Sequence, residues 1–442
     1  RTSMESAACG CATITSKNGG LTETFDNDLI LPQCNSTELF KILEDLIRNK
    51  SLLKKIQLKN FKNVKHRIDI QVDKLDRIKN FFLMNNVFFF KKQRKKILHI
   101  SNFDERNNHR LFNISIANKM TKGFIHNQND VINFSYRNYL SSFNKNNTLR
   151  INIKIKEICN NYKPDLIILG HNNVLNIDTI STIKKGGNSK IILWYEDALA
   201  KSADGPSWED NLNLIEKNSD LIDAYFTTTH PKNVLSKFID NKKLNFLPML
   251  VDKNIEDLHL FDIKNKFKDL FFALSHGVNF GKLKKNKNDE REAFVKNLYK
   301  FGKSINFNIL GINNESPKWN YDFYKELSKC KMALNLSRGK PIKYSTSNRI
   351  SSLVANGIYT FIDKKTKFND FFDESEMGFY NNEKDLINKV ENLKGQNDKL
   401  YKYSKNGMKR YFELFNNKLV TKYILDRTFN TSEDKQQIWE RY

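Results

Sequence analysis

The chain has 442 residues, of which 39% belong to the AVILMFWYC set and 28% are charged. That is apolar mass for several packed cores, so a wholly disordered chain is excluded, and no run of about 18 apolar residues provides a membrane span. Lys and Arg number 74 against 50 Asp and Glu, a net charge of +24; such a surplus attracts polyanions, although abundant Lys, Asn, Ile and Phe also follow from an A/T-rich coding sequence, and then the lysines are mostly solvated.

The first elements form one half of an internal repeat. Glu5-Ser-Ala-Ala-Cys-Gly10 reads as a helix closed by glycine, followed by the apolar run 11–15. Ser352-Leu-Val-Ala-Asn-Gly357 and the run 358–362 repeat that plan late in the chain. Gly10 lies 29 residues before Leu39, and Gly357 lies 29 before Leu386. Each leucine opens an amphipathic helix, and a basic helix follows in both copies. Asn35 with Glu38 has the spacing of an N-cap and its reciprocal carboxylate. Residues 1–82 therefore read as a partial α/β module, the last third of a domain that recurs in full near the C-terminus, which implies two similar modules in tandem on a longer polypeptide.

Residues 83–94 read as a Phe-rich and basic linker. From there strands alternate with helices. Strands are expected at 96–100, 131–134, 165–169, 190–195 and 224–228, and helices at 107–120 and 150–162. After Leu247-Pro248 the alternation restarts, with strands at 270–274, 305–310, 332–336 and 358–362. Helices are expected at 291–301, 321–330, 347–355 and 384–393. Continuous apolar strands closed by polar loops and helices indicate parallel sheets covered on both faces. The expected architecture is α/β: two doubly wound parallel-sheet (Rossmann-like) domains, at 95–255 and 256–428, facing a cleft, with a C-terminal tail at 429–442. The aromatic residues among the lysines from 397 onward could form a nucleic-acid stripe, but packing on the preceding domain accounts for them better, and nucleic acid is not the expected partner.

The stretch richest in chemistry is 335–349. It leaves a buried strand, enters a helix, and carries Ser337, Arg338, Lys340, Lys343, Tyr344, Ser345, Thr346, Ser347, Asn348 and Arg349. Backbone N–H groups at a helix start, hydroxyl donors and a forked guanidinium suit a diphosphate; the competing reading is a capped helix behind a lysine-rich loop. A second loop, Ser275-His276-Gly277-Val-Asn-Phe-Gly281-Lys282, follows the first strand of the second domain, and its glycines allow close backbone approach to a ligand.

At this point the sequence resembles a family. Glu5-x-x-x-Cys-Gly10 with Thr13-Ile-Thr-Ser-Lys-Asn-Gly-Gly-Leu-Thr-Glu23 resembles the donor-binding end of group 1 glycosyltransferases of the two-Rossmann (GT-B) type. Residues 95–428 resemble a divergent branch of that superfamily, the CgeB-like proteins, most clearly at 269–292 and 330–363. The resemblance implies that Glu5 is a ribose-binding residue of a first, partial donor module. In the second module it implies donor contacts from Gly277, Gly281, Lys282, Arg338, Lys343, Tyr344, Ser345, Thr346, Ser347, Asn348 and Arg349. Ser352 takes the ribose-binding Glu position, a hydroxyl without the charge.

Acceptor recognition would come from the first domain, where Gly170-His171, Trp194-Tyr195-Glu196-Asp197 and Thr227-Thr228-Thr229-His230 follow strands. Asp197, Glu196 and His171 are the candidates, in that order, for the base of an inverting transfer; helix capping and turn contacts are the alternative roles of the same side chains. A retaining transfer would need none of them. The Asp26-Asn27-Asp28 triplet reads as a solvated turn, so no metal site is expected, and no cofactor beyond a nucleotide-sugar co-substrate. Five cysteines, Cys9, Cys11, Cys34, Cys159 and Cys330, include no C-x-x-C, which favours a reducing cytoplasm over a disulfide framework.

The expected activity is metal-independent transfer of a sugar from a nucleotide-sugar to a saccharide or lipid-linked saccharide acceptor of the cell envelope. An anionic membrane face would be a peripheral contact. A sugar-nucleotide 2-epimerase of the same fold and a non-catalytic polyanion-binding protein are the alternatives.

Overall fold

A computed structural model describes residues 2–17, 29–31, 35–67, 94–103, 114–141, 148–170, 174–197, 199, 208–230, 235–274, 278–279, 282–283, 290–312, 315–337, 339–431, 437 and 439. Two compact units divide the chain, Arg1–Arg94 and Lys95–Tyr442.

Unit 1 runs α1 (Thr2–Ala8), β1 (Thr15–Ser16), β2 (Ile30–Leu31), α2 (Ser36–Arg48) and α3 (Lys50–Arg67). Gly10 ends the first turn at φ +76°, a left-handed conformation that a side chain would oppose. β1 and β2 pair in parallel, Thr15 opposite Ile30. Asn35 caps α2, its side chain accepting the Glu38 N–H at 2.8 Å. Ala7, Ala8 and Val64 form one small core, and Leu29, Leu46 and Ile56 form another. Most of the expected linker, and residues 68–82, lie outside the described residues.

The first lobe of unit 2 comprises β3 (Lys96–Ser101), α4 (Ile116–His126), β4 (Asp130–Ser135), α5 (Tyr136–Ser141), α6 (Thr148–Tyr162), β5 (Leu166–Gly170), α7 (Ile177–Gly186), β6 (Lys190–Tyr195), α8 (Trp208–Lys217), β7 (Ala224–Thr227) and β8 (Leu244–Phe246). Its six strands are all parallel, in the order β4-β3-β5-β6-β7-β8. Successive residues point to opposite faces, so Leu166, Ile168, Ile192 and Phe226 enter one core while Ile167, Leu169, Leu193 and Tyr225 enter the other.

The second lobe comprises β9 (Lys268–Ala273), the short antiparallel pair β10 (Val278–Asn279) and β11 (Lys282–Leu283), α9 (Glu290–Phe301), β12 (Phe307–Leu310), α10 (Asn320–Leu327), β13 (Cys330–Asn335), α11 (Arg349–Val354), β14 (Tyr359–Asp363), β15 (Gly378–Tyr380), α12 (Glu383–Leu393) and α13 (Asn397–Phe415). Its main sheet is also parallel, ordered β12-β9-β13-β14-β15. α14 (Asn417–Phe429) then returns to the first lobe. A Cβ on Gly123 of α4 would lie 2.4 Å from the Asn417 carbonyl oxygen, so glycine permits that crossing. Val251 and Asn416 form a parallel bridge where the chain passes between lobes. Tyr411 and Phe415 are buried, as packing of the tail aromatics requires, and Trp439 sits against Phe415 and Tyr423 with ring centroids 5.7 and 5.6 Å apart.

The helix expected at 107–120 begins only at Ile116, where the Ser115 hydroxyl accepts the Asn118 N–H, and it runs on to His126. Residues 104–113 lie outside the described residues. The helix expected at 347–355 shortens to Arg349–Val354. β2, β8 and β15 were not expected; two or three residues carry no period to read.

Candidate active site

In each main sheet of unit 2 the first strand has its successor on one side and all later strands on the other. The switch points therefore lie between β3 and β5, and between β9 and β13. Ligands of open α/β sheets bind outside the strand carboxyl ends at such points. The loops singled out from the sequence, after β9 and after β13, flank the switch point of the second lobe.

The loop after β13 is held from below by Asn335, the last strand residue. Its amide donates to the Thr346 hydroxyl, and its carbonyl oxygen accepts the Ser347 hydroxyl at 2.7 Å. The Ser337 hydroxyl accepts the Ser347 N–H at 3.0 Å. Arg349 donates to the Leu336 carbonyl at 3.4 Å, and its guanidinium carbon lies 5.3 Å from the centroid of Phe272 on β9. A cation against that ring face is favourable, and the contact joins the two switch-point strands. Lys343 lies over the Tyr344 ring at 4.9 Å.

The same loop touches the first lobe. The His230 N–H, just beyond β7, points to the Lys343 carbonyl at 3.4 Å. Asn348 donates from its side chain to the Ile114 carbonyl at 2.7 Å, in the loop after β3. Glu196 and Asp197 leave β6 beside the same edge, where the Thr228 hydroxyl donates to the Glu196 carbonyl at 2.7 Å. Glu196 is half-buried and Asp197 exposed. Burial pushes the neighbouring Tyr195 phenol up, and the charges of Asp197 and Glu196 add to the shift.

Two of the expected donor contacts have buried side chains. Tyr344 is 1% exposed, at φ +59°, with its ring among His230, Phe246 and Phe371, and its hydroxyl donates to Asp370 at 2.7 Å. An aromatic between two lobes is driven out of water, and its contacts hold the loop in place. Ser352 is also 1% exposed; its helix face turns into the lobe, and a one-carbon hydroxyl does not reach out where a glutamate could. Thr346 and Ser345 are buried as well, and α11 has only six residues with no side-chain cap on Asn348, so side chains and not a long helix dipole provide the positive charge. Lys282 lies on β11. Glu5 is exposed on α1 of unit 1. His171, Gly277, Gly281, Arg338, Asp26 and Asp28 lie outside the described residues.

Sequence reasoning missed a buried ion pair beneath α11. Lys119 of α4 meets Glu256 of the inter-lobe segment, both side chains wholly buried, and Lys119 also donates to the Ser351 hydroxyl at 3.3 Å. The second Glu256 oxygen accepts the Asp252 N–H at 2.9 Å. Burial pushes the Glu256 carboxyl up and Lys119 pulls it back. The available signal was a lysine on the apolar face formed by Ile116, Ala117 and Met120.

A family described as glycosyl transferase-like matches residues 290–426. A search of curated proteins finds no match. Among solved structures, sucrose-phosphate synthase of Thermosynechococcus elongatus is similar at 10% identity, with 77% of this chain and 100% of that one covered and a TM-score of 0.50. HepE of Anabaena, solved with UDP, is 12% identical over 76% of this chain and 100% of its own, at 0.47. A glycosyltransferase of Rickettsia africae is 12% identical over 78% and 100%, at 0.48. The match over 290–426 covers the loop-and-helix machinery just described, so that this part of the chain is similar to glycosyl transferase-like proteins, and the likeness to sucrose-phosphate synthase is one of fold, two parallel-sheet lobes.

Proposed function

We propose that unit 2 transfers a sugar from a nucleotide-sugar to a saccharide or lipid-linked acceptor without a metal ion. The observation that carries this reading is the contact of Arg349, at the end of the loop that Ser337 and Ser347 tie together, with Phe272 across the switch point between β9 and β13. Arg349 and Lys343 would grip the diphosphate, and Ser337 and Ser347 would fix the loop that presents them. In an inverting transfer the acceptor hydroxyl oxygen attacks the anomeric carbon, and its proton passes to Asp197 or, failing that, Glu196. The bond from the anomeric carbon to the diphosphate breaks, and the diphosphate leaves with the electron pair. Fixed cations stabilise that developing charge in the place a divalent ion takes elsewhere. The polar edge beyond β6 and β7 would receive the acceptor, and an anionic membrane face would suit the +24 chain as a peripheral support.

The test is a thermal-shift and calorimetric panel of nucleoside diphosphates and their sugars against the chain and Arg349→Ala. A charge-assisted contact of about 1.5–3 kcal/mol predicts a loss of roughly tenfold to a hundredfold in affinity. Equal binding by Arg349→Ala removes the phosphate assignment. Asp197→Ala should lower turnover while leaving donor affinity in place. Turnover of the nucleotide-sugar with no acceptor present would favour the epimerase reading.

A further inference from the structure

Asn35, Asn176, Asn382 and Asn416 each stand just ahead of a helix, and the side-chain oxygen of each accepts the backbone N–H three residues on. Asn348 stands in the same place ahead of α11 and makes no such cap. Its amide nitrogen instead donates to the Ile114 carbonyl of the first lobe at 2.7 Å, and its side-chain oxygen faces the Ser351 hydroxyl at 3.2 Å. A helix start that forgoes its local cap has to be held by something else.

What holds it is the buried ion pair. Lys119 of α4 donates to both Glu256 and the Ser351 hydroxyl, and the Ser351 hydroxyl donates on to the Asn348 carbonyl at 2.8 Å. A charged donor strengthens the bonds of such a chain, and exclusion of water strengthens them further. Both anchors in the first lobe lie close together, Ile114 just ahead of α4 and Lys119 within it. The returning chain fixes α4 in turn, the Asn417 amide donating to the Lys119 carbonyl at 3.2 Å. Between the two gripped residues, Asn348 and Ser351, stand Arg349 and Ile350. Lys119 and Ser351 are 0% exposed, so neither side chain touches a ligand, whereas Arg349 is half-buried.

We propose that Lys119 of the first lobe is a positioning residue for Arg349 of the second: the chain from Lys119 through Ser351 to Asn348 fixes the turn that aims the guanidinium at the donor diphosphate. The donor grip is then built by both lobes, although the guanidinium comes from the second alone. This rests on the donor role proposed above for Arg349. A purely structural role for the pair would lower stability and leave nucleotide affinity alone in the folded chain. A positioning role lowers affinity, and only while Arg349 is present to be positioned, because residues that act through one another do not add.

Calorimetric titration of the 442-residue chain with the diphosphates of uridine, adenosine, guanosine, cytidine and thymidine selects the tightest nucleotide, which is then titrated into variants below their unfolding transitions. Ser351→Ala should weaken it by about fivefold, the worth of one hydrogen bond. If the alanine variant does not fold, Ser351→Cys, which bonds weakly at similar volume, takes its place. Lys119→Met, held at a temperature where it stays folded, should lose at least as much. In the Arg349→Ala background the same substitutions should each change affinity by less than about twofold. The proposal is overturned if the Ser351 variant binds like the parent, or if its loss persists at full size without Arg349. If no diphosphate binds, or Arg349→Ala alone binds as tightly as the parent, the donor role of Arg349 fails and this inference falls with it. That outcome is separate, because it is read before any Ser351 or Lys119 variant is made.

Discussion

One sequence plan occurs twice in this molecule, and the two copies come out alike in elements but unlike in burial. α2 and α12 carry the same asparagine cap, and α1 and α11 run into the same glycine turn. Yet Phe40 stands in solvent where Ile387 is enclosed. Caps, turns and amphipathic spacing act over a few residues, so each copy forms its helices by itself. Enclosure needs an α9 and a β13, which the chain supplies from a distance in one copy only.

The largest effect that sharpens this contrast concerns α11. Ser351 of α11 accepts from Lys119, whereas the corresponding position of α1 is Met4 and unit 1 holds no buried ion pair among the described residues. Lys119→Met strands Glu256 without a partner and should cost unit 2 about 3–5 kcal/mol in urea unfolding; a loss under about 1 kcal/mol would show that the pair ties nothing together. Next, Leu386→Ala should cost about 2–5 kcal/mol, while Leu39→Ala, in the matching place, should stay within about 1 kcal/mol. Equal losses would break the comparison outright.

Acid should separate the copies as well. His99, buried in the first lobe, accepts the Trp194 indole N–H at 3.1 Å on Nε2 and faces the Thr121 hydroxyl at 3.0 Å through Nδ1. Burial holds its imidazole down to about 3. The unfolded chain therefore takes up a proton that the folded one refuses between about pH 6.5 and 3. Stability from this residue is present above that window and is lost as pH falls through it, at roughly 1.4 kcal/mol per pH unit. His99→Gln should flatten the slope for unit 2; an unchanged slope would assign acid lability elsewhere. The smallest effect should be equal in both copies: Asn35→Ala and Asn382→Ala each remove one cap, about 1 kcal/mol, seen as a matching loss of helix stability by circular dichroism.

The fold was legible because its signals are periodic or punctuated. Apolar runs at 166–169 and 191–194 gave the parallel strands, Gly10 with Gly357 gave the repeat, and the tail aromatics Tyr411 and Phe415 packed as their spacing implied. The site was legible as a loop and not as a set of contacts. Sequence shows that Tyr344 and Ser352 lie on or beside the loop after β13, but whether such a side chain is buried depends on what packs over it: Phe246 of the first lobe and Phe371 of the second enclose Tyr344. Lys119 and Glu256 are partners across a long stretch of chain, and neither residue alone announces the other. The three-residue β8 and β15 carry no pattern, only neighbours to pair with.

The chain crosses between the lobes of unit 2 twice, and the two crossings lie side by side. The Val251 N–H donates to the Phe415 carbonyl and the Asn417 N–H to the Val251 carbonyl, at 2.9 and 2.8 Å. Twin crossings bonded to each other, rather than two separate tethers, tie the lobes together at one place.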